Sequence, residues 1–83
     1  MIEKSELDDF RAELKRMGYN PNDFDVFTGE RLGKVTKGIY PLNETVAVHR
    51  KSTDVLEEYR GGHGEAWGAK ATEDVRAGKF GRP

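Results

Sequence analysis

Apolar residues near the start of the chain recur at steps of mostly three and four: Ile2, Leu7, Phe10, Leu14 and Met17. That spacing gathers them on one stripe and predicts an amphipathic helix over 5–17. Ser5 stands where a cap belongs, Asp8 and Asp9 place negative charge early, and Lys15 and Arg16 place positive charge in the last turn, as the helix dipole favours. Gly18 is the stop signal. A left-handed residue there brings Tyr19 back onto Leu14 in a Schellman closure.

Asn20-Pro21-Asn22-Asp23 is turn chemistry, since Asn and Asp side chains bond nearby backbone and proline fixes its own φ. From Phe24 to Val48 the pattern changes to short stretches rich in β-branched and aromatic residues, broken by Gly29, Gly33, Gly38 and the Pro41-Leu42-Asn43 corner. Strands are predicted at 24–28, 33–39 and 45–50. Val35 and Ile39 share one face with Lys37 between them, and Val46 and Val48 share a face opposite Ala47 and His49, the alternation of a sheet buried on one side.

Residues 52–60 admit two readings. As a helix, Asp54 would cap with Glu57 three residues on, and Val55, Leu56 and Tyr59 would lie together; as a strand over 55–60, Lys51-Ser52-Thr53-Asp54 would be a hairpin loop. Propensity slightly favours the helix, but a helix cut off by Gly61-Gly62 after about eight residues is marginal, and a further strand covers a bare sheet edge. The hairpin is the expectation. Gly61-Gly62-His63-Gly64 then reads as a flexible connector. Trp67, Ala71 and Val75 recur every four residues and predict a second helix over 65–77, with Gly78 in the stop position and Phe80 beyond. Residues 79–83 are expected to fray. The order is helix, three or four antiparallel strands, helix: an α+β two-layer single domain with both helices on one face of the sheet.

Eighty-three residues allow one thin core, and Leu, Ile, Val and Phe make up about a fifth of the chain, near the level at which disorder sets in. The net charge of −1 argues for folding, because disorder by composition needs high net charge as well. No apolar run approaches the roughly 18 residues of a membrane span and no signal peptide is legible, so a soluble, cytoplasmic protein is expected. The chain is cysteine-free, which removes disulfides, thiol catalysis and cysteine-held metal from consideration.

Charge is unevenly placed: residues 1–30 carry net −4, residues 31–51 net +4 and residues 52–83 net −1. The basic segment holds Arg31, Lys34, Lys37, Arg50 and Lys51, a candidate phosphate-binding set for nucleic acid, although a solvated sheet face that discourages edge aggregation is the simpler account. Helix, strands, helix is also the order of the double-stranded-RNA-binding domain, but His63 to Lys70, where that family carries a lysine cluster, offers one lysine and a glutamate, so no family resemblance is claimed.

Other chemistry falls away on spacing. Gly29 to Lys34 has one residue too few between its glycines for a phosphate-binding loop, and Val35 stands where Ser or Thr would hold magnesium. Gly61 to Gly64 fits the G-x-x-G of a KH module, yet ten glycines produce such a spacing by chance. His63-Gly64-Glu65 has the H-x-E lettering of a zinc deaminase without its cysteines, and His49 and His63 lie too far apart to preset a metal site. Ser5 and Ser52 sit at a cap and in a turn, away from any strand-to-helix elbow. No enzyme, metal, cofactor or small-molecule substrate is expected.

What is left is a set of residue types favoured at interaction hot spots, Tyr59, Arg60, His63, Trp67 and Arg76, flanking the glycine-rich connector. Trp67 above Ala71 and Val75 reads first as a core anchor, because a thin core can hardly spare its only tryptophan. The acidic outer face of the first helix, Glu3, Glu6, Asp9 and Glu13, carries types depleted from interface cores, so the partner surface is expected at the connector instead. The expected function is a small non-catalytic binding or regulatory protein acting on a protein partner, with nucleic-acid binding through 31–51 as the alternative.

Overall fold

A computed structural model describes residues 4–28, 45–60 and 67–83. The chain forms α1 (Lys4–Arg16), a single 3-10 turn (Pro21–Asp23), β1 (Phe24–Thr28), β2 (Thr45–Arg50), β3 (Val55–Arg60) and α2 (Trp67–Arg76). The strands make an antiparallel sheet in the order β1-β2-β3, with Val26 opposite Val48 and Val46 opposite Tyr59. β1 and β2 therefore pair directly, and the predicted strand 33–39 lies outside the described residues, as do Ile2, the connector 61–64 and the first two residues of the predicted helix 65–77. The hairpin reading of 52–60 holds, with Lys51 to Asp54 as the loop and Asp54 in the left-handed region at φ 56°.

Both helices pack on one face. Phe10 and Leu14 of α1, Trp67, Ala71 and Val75 of α2, and the same-facing strand residues Phe24, Val46, Val48 and Tyr59 form one buried cluster, with Leu7, Met17, Val26 and Val55 at its margin. This is the α+β arrangement expected from the order of elements. Four edge-on aromatic contacts run through it, linking Trp67 to Phe10, Phe10 to Phe24, Phe24 to Tyr19 and Phe24 to Phe80 at centroid distances of 5.5 to 6.3 Å. Among the described residues no helix is long and apolar enough to cross a membrane.

Each helix ends in the same device. Gly18, at φ 91°, donates its N–H to the Lys15 carbonyl and Tyr19 donates to that of Leu14, the two bonds of a Schellman motif, with Tyr19 and Leu14 together in the core. Gly78, at φ 87°, repeats this with Val75 and Asp74, and there a Lys79 to Asp74 ion pair at 3.3 Å replaces the apolar contact. At the other end of α1 the helix already includes Lys4, so Ser5 lies inside its first turn and does not cap it.

Residues 79–83, expected to fray, are held instead. Phe80 is 0% exposed and closes the end of the core. Its carbonyl accepts from the Thr53 hydroxyl and from Arg50 Nη1, both at 2.9 Å; Arg50 Nη1 also reaches the Arg82 carbonyl at 2.6 Å, and the Tyr19 hydroxyl reaches the Gly81 carbonyl at 2.8 Å. The other edge of the guanidinium donates through Nε to Asp23 Oδ2 at 2.9 Å, and its plane sits near the Tyr19 and Phe24 rings. Arg50 thus joins the turn before β1, the end of β2 and the tail.

The Ser52 hydroxyl and the Arg50 guanidinium, both donating to Asp23, hold its carboxyl below the ordinary carboxylate range, and the Ser52 N–H adds a third bond. A folded-state pKa below the unfolded one contributes stability that is present above about pH 4 and lost as pH falls through the lower folded value. Thermal melts of wild type and Asp23→Asn from pH 7 to 2 should therefore differ most at neutral pH and converge in acid. A constant difference across that range would mean that the ionised carboxylate is not what these donors favour.

Candidate functional site

The hot-spot residues expected at one surface do not share one. Trp67 opens α2 and is 0% exposed, lying 5.5 Å from Phe10; its indole Nε1 is buried without a hydrogen-bond partner among the described residues. Tyr59 is buried too. Its hydroxyl donates to Asp74 Oδ2 at 2.6 Å, and burial, with Asp74 second, pushes the phenol far above its usual range, so it is neutral at physiological pH. Tyr59 was expected at a partner surface and is taken by the core instead, while Trp67 fills the core-anchor place that its position above Ala71 and Val75 favoured, in a core with few large residues. Arg60, at the end of β3, and Arg76, at the end of α2, are exposed. His63 lies outside the described residues.

The basic set also divides. Arg31, Lys34 and Lys37 lie outside the described residues. Arg50 is only 6% exposed and directs Nε to Asp23 and Nη1 to the Phe80 and Arg82 carbonyls, so it is engaged within the fold rather than presented to a phosphate. Lys51 is exposed, donates to the Asn22 carbonyl at 3.1 Å and stands 3.7 Å from Asp25. His49 faces the opposite side of the sheet from the helices, where its Nε2 lies 2.8 Å from Asp54 in the hairpin loop. Among the described residues no three His, Asp or Glu side chains converge closely enough to hold a metal ion.

A different feature is built by the two helices. Between them runs an open groove of about 610 Å³. On α1 it is lined by Glu6, Asp9, Phe10, Glu13 and Arg16, a stripe at mostly three- and four-residue steps beside the half-buried Leu7 and the buried Leu14. On α2 it is lined by Gly68, Ala69, Thr72, Glu73 and Arg76. Phe10 and Gly68, both buried, make its floor, and the small side chains of Ala69 and Thr72 leave the space open.

The helices meet closely at their starts. A Cβ at Gly68 would lie 3.3 Å from Cγ of Glu6, a tight contact from which the Glu6 side chain would have to give way by a few tenths of an ångström. Both helices end in an arginine on the groove, so carboxylates lie toward the starts and the middle and cations at the far end. The Arg16 guanidinium pairs with Glu13 at 2.9 Å; Glu6, Asp9, Glu73 and Arg76 have no ion pair among the described residues.

The sequence carried half of this signal. Glu6, Asp9, Glu13 and Arg16 were legible as one face of a helix, and acidic residues there read as a solvated surface. Gly68, Ala69 and Thr72 were the other half: small residues within two turns of α2, on the side turned toward α1. The chain was compared with protein-family models, curated proteins and solved structures, and it matches none of them.

Proposed function

We propose that this chain is a small non-catalytic binding protein that docks a protein partner in the groove between α1 and α2. The observation that carries this reading is the groove itself, an open channel between two helices with charged side chains along its rims and the small residues Ala69 and Thr72 between them, a form in which a globular surface receives a protein segment. Arg16 and Arg76 on its rim are of the type most often found at binding hot spots. A binding role also fits the chemistry of the lining, in which, among the described residues, no histidine stands beside the carboxylates to act with them as an acid–base pair.

The alternative, nucleic acid held by 31–51, has less behind it, because Arg50 is engaged within the fold and the groove rim is acidic. A single capture experiment separates the two. Tagged wild type and Ala69→Trp, an exposed position whose larger side chain fills the groove, are passed through nuclease-treated native lysate. A protein retained by wild type and lost from Ala69→Trp, with unchanged thermal midpoints, is the expected result. Equal retention by both would place the partner elsewhere, and material recovered only without nuclease would favour the alternative.

A further inference from the structure

Resting on that docking reading, we infer that the occupant of the α1–α2 groove is a basic amphipathic helix of the partner, its lysines or arginines on the carboxylate rim and its apolar side over Ala69 and Thr72. Charge complementarity selects it. Four carboxylates and two arginines line the groove, and one of those arginines is already paired with Glu13, so among the described lining residues Arg76 alone stands against the charge of Glu6, Asp9 and Glu73. An anionic segment would be repelled along most of the channel; a cationic one meets compensating charge that α1 and α2 do not supply.

Shape and length agree with a helix. From Glu6 to Arg16 the rim spans ten residues of α1, about 15 Å at helical rise, which is the length of a three-turn helix. Laid between α1 and α2, such a helix presents one apolar stripe to Ala69 and Thr72 and cations at three- and four-residue steps to both rims, the recurring helix-in-groove mode. The far end, where Arg16 and Arg76 stand, suits the carbonyl-rich C-terminus of the incoming helix or an acidic residue on it. The occupant therefore enters with its basic residues over the starts of α1 and α2.

The probe is a labelled amphipathic peptide of leucine, alanine and lysine about three turns long, titrated by fluorescence anisotropy at low salt, beside the same peptide with glutamate for lysine. Binding of the lysine peptide alone is expected, weakening as salt rises. Glu6→Gln, Asp9→Asn and Glu73→Gln should each weaken it by about two- to threefold and the triple variant by about tenfold or more. Asp8→Asn makes the same change of charge on an exposed position of α1 outside the groove and should leave binding unchanged.

Failure of the lysine peptide to bind, binding of the glutamate peptide, or equal effects of Asp8→Asn and Asp9→Asn would overturn the basic-helix inference. In each of those cases, loss of the captured protein from Ala69→Trp would leave the docking reading standing with a different occupant. Retention of that protein by Ala69→Trp would remove the docking reading as well.

Discussion

Phe10→Ala and Phe80→Ala are each expected to cost about 3 to 5 kcal/mol, the range for deleting a buried phenylalanine whose surroundings relax only in part. The two rings sit on either side of Phe24, at centroid distances of 6.3 and 5.7 Å, and neither is more than 2% exposed. For a domain of this size each kcal/mol lowers the unfolding midpoint by about 4 to 8 °C, so either variant should melt more than about 12 °C below wild type. A small domain has about 5 to 15 kcal/mol in all, so both variants should be partly unfolded at physiological temperature. Differential scanning calorimetry of the two side by side is the measurement. The informative case is Phe80: a change of only a degree or two would mean that the tail frays, as its position in the sequence leads one to expect, and that the core closes without it.

Arg50→Met is expected to be comparably damaging, at about 3 kcal/mol, although methionine restores most of the volume. The guanidinium bonds Asp23 on one edge and the Phe80 and Arg82 carbonyls on the other, so its loss leaves acceptors in a largely buried place with too few donors. The tail keeps the Tyr19 and Thr53 hydroxyls as donors, which is why the variant should melt early rather than fail to fold. Arg50→Lys should recover less than half of the loss, because one ammonium on a flexible stem cannot serve both edges of a planar fork. Full recovery by lysine would reduce Arg50 to a point charge beside Asp23. Gly81 tests the same clasp from the other side: at φ 91°, with Thr53 Cγ2 only 3.0 Å from where its Cβ would stand, it has no room for a side chain.

The elements themselves were legible because each depends on signals within a few residues. The stripe of Phe10 and Leu14, the glycines at 18 and 78, and the turn at 20–23 set the helices and their ends. The alternation in 24–28 and 45–50 set two strands at their observed limits, and the weakness of a short helix before Gly61 decided for the hairpin at 55–60. The misjudged positions other than Ser5 share a cause. The expectations for the tail at 79–83 and for Tyr59 and Arg50 at the surface follow from residue type and place in the chain alone, while their outcome turned on partners from 15 to 62 residues away, as with Tyr59 and Asp74 or Tyr19 and Gly81; Ser5 differs only because α1 starts one residue earlier.

The sequence by itself determined the α+β order, the two helices with their glycine stops and the antiparallel pairing of 45–50 with 55–60, because local propensity, periodicity and turn chemistry agree at each of these places. Tertiary structure decided which polar and aromatic groups remain at the surface. A thin core draws in every large side chain within reach, so Trp67 and Tyr59 went inside and Arg50 became the clasp of the tail. It also decided where the α1–α2 groove lies, because α2 comes against Glu6 of α1 at Gly68 and small residues leave the space beside them unfilled, a juxtaposition of segments 62 residues apart that no local pattern encodes.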